Sequence, residues 1–134
     1  MDFKYQFQVL EGHLDTFGHV NNATYLELYE EARWQFITEG GFGLDKIKET
    51  KIGPVILEIN LKFKKELTNR ETITIESKSI SNDSRLVMEL SQKMIKDNGD
   101  VASTLELKVG VMDLTKRRLI EPPKEWLHAI GFNR

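Results

Sequence analysis

The sequence predicts an α+β domain in which one long helix lies across an antiparallel sheet of five strands. Three observations carry that reading. Five segments read as strands, most clearly where apolar and polar residues alternate. Only one long segment repeats its apolar residues at helical spacing. Short turn motifs, Asn98-Gly99 among them, join the later strands as hairpins and make them antiparallel. At 134 residues the chain fits a single domain, 1–134. A chain of that size buries roughly two-thirds of its extended surface, enough for a core without metal or disulfides.

The first strand places Phe3, Tyr5, Phe7 and Val9 on one face. The helix runs from about Ala23 to Glu39 and is about 25 Å long at 1.5 Å per residue. Its apolar stripe is Tyr25, Leu28, Tyr29, Ala32 and Phe36, with Glu27, Glu30 and Glu31 opposite. Asn21 and Asn22 are natural caps, because a short side-chain oxygen can accept from a first-turn N–H. Gly40 and Gly41 stop the helix. Leu44 to Glu49 adds a short helical turn. After Gly53 and Pro54, the residues Val55, Leu57, Ile59, Leu61 and Phe63 take one face of a strand. Glu58, Asn60, Lys62 and Lys64 take the other, together with Ile56. Glu66 to Glu71 forms a turn. A strand follows over Thr72 to Ile80, with Ile73 and Ile75 inward. Ser81 to Ser84 is a turn, Leu86 to Ile95 a strand, and Asp97 to Asp100 a hairpin turn. Val101 to Leu114 is the last strand, with Val101, Leu105, Leu107, Val109 and Val111 on one face. Pro122 and Pro123 open a short helix that ends near Gly131. One helix cannot cover both faces and the edges of such a sheet, so a partner subunit is expected. Trp34, on the glutamate side of the helix, points the same way.

Composition narrows the function. A formal net charge of -2 gives no strong basic field for nucleic acid. The absence of cysteine excludes disulfides, thiolate metal sites and cysteine nucleophiles. The N-terminus lacks a basic head followed by an apolar run, so no signal peptide is expected. No run approaches the roughly 18 apolar residues that a membrane span needs. A cytoplasmic protein that binds neither nucleic acid nor membrane is the expectation.

The chemistry concentrates in "HLDTFGHVNN", His13 to Asn22, immediately before the helix. Each residue has an ordinary structural use. Asp15 can bond the backbone of its own turn. Gly18 can supply a backbone geometry other residues avoid. His19 can be a structural histidine, and Asn21 and Asn22 can cap. The combination has a chemical use as well. A helix N-terminus presents free N–H groups and the positive end of the helix dipole. That is a cradle for an oxyanion or a polarised carbonyl. Asp15, on the entering loop, can bend back to the same place. A carboxylate and an oxyanion cradle suffice for acyl transfer to water: the carboxylate activates water or attacks the carbonyl. Thioesters suit this minimal equipment, because their leaving thiolate needs little protonation.

The pattern D-x-x-G-x-V, then N, then Y-x-x-x-Y-x-E-A-R is formed by Asp15, Gly18, Val20, Asn22, Tyr25, Tyr29, Glu31, Ala32 and Arg33, with Leu26 between. It resembles the signature of the hotdog-fold acyl-CoA thioesterases, the 4-hydroxybenzoyl-CoA thioesterase-like family. The resemblance implies a five-stranded antiparallel sheet wrapped around one helix. It implies hydrolysis of an acyl-CoA to a free acid and CoA, with no cofactor beyond the coenzyme A of the substrate and no metal. Asp15 matches the catalytic carboxylate, as nucleophile or general base. Asn22 matches the position whose backbone N–H binds the thioester oxygen, and Gly18 the glycine of the bend. His19 and Asn21 would line the pocket or hold the loop, and Tyr25 would join them in binding substrate. His13 stands where many relatives have an acidic residue. The family also implies a homodimer or homotetramer with the acyl site between subunits, which makes Glu58 a candidate wall residue. Candidate phosphate contacts are Lys62, Lys64, Lys65, Ser84, Arg85 and the run Thr115 to Arg118. Three other readings share these residues: an acyl-carrier-protein thioesterase, a hydratase or dehydratase, and a non-catalytic acyl-thioester binder.

Overall fold

The computed structural model describes residues 2–132. The elements are β1 (Phe3–Gln8), α1 (Asn22–Glu39), α2 (Leu44–Thr50), β2 (Ile52–Phe63), β3 (Thr72–Ile80), β4 (Val87–Lys96), β5 (Val101–Asp113), β6 (Arg118–Ile120) and α3 (Lys124–Ala129). The strands lie in the order β1-β3-β4-β5-β2, all antiparallel, with β6 added on β5. This is the hotdog arrangement: an antiparallel sheet around one long helix.

The sheet has six strands rather than the five expected. The sixth returns from a turn built by Asp113, whose Oδ1 accepts from the N–H groups of Thr115 and Lys116 at 2.9 and 3.0 Å. Those backbone bonds, Lys116 first, hold the Asp113 carboxyl below its usual range. The basic run Thr115 to Arg118 is therefore a hairpin turn leading into β6.

α1 lies on the sheet with Tyr25, Leu28, Tyr29, Ala32 and Ile37 buried. Phe36, expected in that stripe, is only half-buried. It stacks on Phe3 with ring centroids 5.2 Å apart, at the β1 edge. The sheet answers with Ile73, Ile75, Met88, Met94, Leu105 and Val111, all fully buried. α3 closes one end, where Trp126 donates to the Met88 sulfur at 3.1 Å and meets Phe42 edge-on. A buried polar side chain ties helix to sheet. Gln92, buried on β4, donates to the Tyr29 carbonyl and the Ser77 hydroxyl and accepts from Arg33 at 3.0 Å. The other sheet face is polar: Lys4 and Lys93 flank Glu76, and Lys108 meets Glu58. An antiparallel sheet can leave such a face in water, so only the edges call for cover.

β2 departs from the expected alternation. Ile56 lies opposite Val109 and Glu58 opposite Lys108, so Leu57 is the extra residue of a β-bulge. The bulge shifts the phase by one. Pro54, Ile56, Ile59, Leu61 and Phe63 lie opposite the buried Val111, Val109, Leu107, Leu105 and Ser103 and share the helix-side face. Val55 and Leu57 turn to the other face, where Leu57 approaches Gly110 beside Leu119. The expectation that grouped Val55 and Leu57 with Ile59, and Ile56 with Glu58, is corrected by this one inserted residue.

Candidate active site

The loop before α1 is closed on itself. Leu14 and Val20 form an isolated antiparallel bridge, and the Asp15 N–H donates to the His19 carbonyl at 2.7 Å. Within it, Asp15 Oδ1 accepts from the N–H groups of Phe17 and His19 at 2.9 and 3.1 Å. These bonds fix the carboxylate by one oxygen. Oδ2 takes no hydrogen bond from the described residues, and the residue is exposed. The turn-forming and the chemical uses of Asp15 thus coexist, one on each oxygen. Gly18 has φ +81°, a left-handed value that other residues adopt only at a cost, so the bend does need glycine. Phe17, at the tip of the loop, is 85% exposed.

The helix begins as an Asx-capped start. Asn21 is the cap: its Oδ1 accepts from the Ala23 N–H at 3.0 Å. Asn22 is the first helical residue rather than a second cap. The carbonyl that could accept its N–H within the helix does not exist, so that N–H faces outward at the positive end of the dipole. His13 has a structural place. Its Nδ1 accepts from the Leu10 N–H at 2.9 Å, its ring meets Phe7 edge-on, and its carbonyl accepts from the Asn21 N–H.

Beside the helix start lies an open pocket of about 400 Å³, lined by His19, Val20, Asn22, Tyr25 and the segment from Phe63 to Glu66. It brings together five of the expected residues: His19, Asn22, Tyr25, Lys64 and Lys65. Asp15, Gly18 and Asn21 belong to the loop and cap that lead into this wall and do not line it. Tyr25 packs edge-on against Phe63 at 4.9 Å. Burial, and then the carboxylates of Glu66 and Glu71, raise its phenol above the ordinary value, which keeps it neutral. Lys65, on the same wall, lies 4.0 Å from Asp100.

Lys62, Glu58, Ser84 and Arg85 lie outside this pocket. Glu58 stands on the outer sheet face against Lys108 at 3.7 Å. The register explains it: the bulge puts Glu58 opposite Lys108, away from the helix side. Ser84 and Arg85 belong to the β3–β4 connection. The Ser84 hydroxyl accepts from the Val87 N–H, and Arg85 pairs with Glu121 at 3.1 Å. Reading the sequence alone missed Glu66 and Phe63 as wall residues. A turn glutamate and a strand-end phenylalanine carry no local signal of their distant neighbours.

A second, apolar cavity of about 210 Å³ lies toward the other end of α1, lined by Trp34, Phe36, Ile37, Ile56, Val109 and Trp126 among others. Arg33 and Glu30 border it. Burial lowers the pKa of the Arg33 guanidinium from its ordinary value.

Comparison with known proteins agrees with this geometry. The profile of the Thioesterase-like superfamily matches residues 9–130. The long-chain acyl-CoA thioesterase FadM of Escherichia coli (strain K12) is 36% identical over 72 residues, 54% of this chain and 54% of FadM. The match thus spans about half the length of that relative. The structure of the YbaW probable thioesterase from Escherichia coli superposes with a TM-score of 0.82 at 26% identity, over 94% of each chain. A Staphylococcus aureus protein solved in complex with CoA superposes with a TM-score of 0.90 at 20% identity, over 98% of this chain and 82% of that one, a likeness of fold. From its motif, its fold and a match that runs from just after β1 through α3, this chain belongs to the thioesterase-like superfamily.

Proposed function

We propose that this protein is an acyl-CoA thioesterase, releasing a carboxylic acid and CoA from the thioester. One observation carries the reading. A loop aspartate with one free oxygen precedes a helix whose first N–H has no partner within the helix. In this mechanism the Asn22 N–H holds the thioester oxygen, with the helix dipole behind it. Asp15 acts on the acyl carbon, by direct attack or through a water whose proton it takes. Water adds its oxygen to the acyl carbon, the C–S bond breaks, and the thiolate leaves with the bonding pair. Family membership supports the chemistry, and the FadM match supports CoA as the carrier. Lys64 and Lys65 on the pocket wall supply positive charge for the nucleotide phosphates. The acting unit is a homodimer or larger, because β2 is a sheet edge with exposed apolar side chains.

The test is a thiol-release screen across short-chain, long-chain and aromatic acyl-CoAs. Wild-type protein should turn over at least one class. Asp15→Asn should keep its fold and oligomer while losing about a hundredfold or more in kcat. Near wild-type turnover in Asp15→Asn would remove Asp15 from the mechanism.

A further inference from the structure

The pocket wall opposite the loop is the segment that follows β2, and one of its side chains reaches back across. Glu66 Oε1 lies 3.0 Å from His19 Nε2. Both side chains are more than half exposed, so the pair adds little to stability. What matters is what His19 holds. Its N–H donates to Asp15 Oδ1 at 3.1 Å, and its carbonyl accepts the Asp15 N–H at 2.7 Å. The one residue that grips Asp15 with both main-chain groups is gripped in turn by Glu66.

Glu66 has its own support. Lys96 Nζ donates to the Glu66 carbonyl at 2.6 Å and pairs with Glu71 at 3.3 Å. The Lys96 and Glu71 side chains are each 17% exposed, so this bond is well shielded. Glu71 Oε1 also accepts from the N–H and hydroxyl of Thr68 at 3.0 and 3.1 Å. A continuous set of contacts thus runs from the end of β4, through the Glu66 turn, to the loop that carries Asp15.

We propose that Glu66 is a positioning residue for hydrolysis at this site. By fixing the His19 ring from the opposite wall, it fixes the main-chain groups that aim Asp15. Glu66 transfers no proton and touches no reacting atom. The bond requires a hydrogen on His19 Nε2, so Nδ1 is the acceptor edge of the neutral ring. Lys64 and Lys65 line the same pocket. The proposal rests on the acyl-CoA thioesterase reading above.

Two measurements test it. In steady-state thiol release, Glu66→Ala should lower kcat by about tenfold while KM changes little, since aim rather than affinity is lost. Glu66→Gln, which keeps an acceptor oxygen, should recover part of the loss. His19→Ala/Glu66→Ala should be no slower than His19→Ala alone, because both substitutions break one link. The second measurement needs no substrate. Ring ¹⁵N shifts of His19 should report the Nε2–H tautomer in the wild type and a tautomer mixture in Glu66→Ala. Wild-type kcat in Glu66→Ala, losses that multiply in the double variant, or an unchanged tautomer would each overturn the proposal. Failure of the thioesterase reading is separate: the wild type would release no thiol from any acyl-CoA, and the tautomer would still decide whether Glu66 orients His19.

Discussion

At the residue scale, the loop is a set of backbone requirements with one chemical group mounted on it. Gly18 shows the dependence most directly. Its φ of +81° is open to glycine and strained for alanine, while a Cβ there would meet nothing within 4 Å. The strain of Gly18→Ala is therefore conformational and not steric. It should cost about 1 kcal/mol in stability, read from the urea midpoint. It should also reduce kcat, because the loop that relaxes is the one whose N–H groups hold Asp15 Oδ1. An unchanged kcat would separate the bend from the chemistry. The placement of Asp15, Gly18 and Asn22 is legible in the sequence because their spacing lies within one loop and one helix start. The partners of His19 and Glu58 are not. Glu66 meets His19 only after the turn following β2 folds back, and Glu58 meets Lys108 only in the register of β2 with β5. Local spacing holds no record of either.

At the element scale, most boundaries follow from period and punctuation, and the errors have single causes. One extra residue, Leu57, reversed the faces of Val55, Ile56 and Leu57. Both sides of β2 are apolar there, so no polar residue marked the slip. β6 was missed because three residues are too few for a pattern. The glycine pair that ends α1 was read as one stop signal, yet its members do different things. Gly41 has φ +98° and makes the turn. Gly40 is helical at φ -77°, and a Cβ on it would strike the backbone of Ala129 in α3. Gly40 is thus a packing residue that lets α1 and α3 touch. Gly40→Ala should destabilise the fold by about 1–3 kcal/mol, as overpacking does, with the loss seen in chemical denaturation. Gly41→Ala should lose stability through its backbone instead. A Gly40→Ala protein as stable as wild type would mean that α3 shifts freely, contrary to the buried Trp126 anchor.

At the scale of the whole molecule, the question is what covers the β2 edge. Ile56, Leu57, Ile59 and Phe63 are between 39% and 54% exposed, and Trp34 on α1 is 38% exposed. A twelve-residue edge strand also offers a row of unpaired backbone groups. The opposite edge, β1, carries the Lys4–Glu76 pair instead. Counting one helix against the sheet makes a partner an expectation of the sequence, but the β2 edge appears only with strand order, which hairpin logic does not give for β2. A second copy pairing β2 with β2 would extend the sheet and cover these side chains, burying about 800 Å² on each partner in a standard interface. Wild-type protein should therefore scatter light as a dimer or larger at micromolar concentration. Ile59→Lys places a charge in the middle of the exposed strand without touching the buried core or the loop. It should shift the protein toward monomer while leaving the far-ultraviolet circular dichroism unchanged. If the acyl site lies between subunits, as the family resemblance implies, kcat/KM should fall together with the dimer fraction and recover as protein concentration rises. A wild-type monomer, or a monomeric Ile59→Lys with full activity, would place the whole site within one chain.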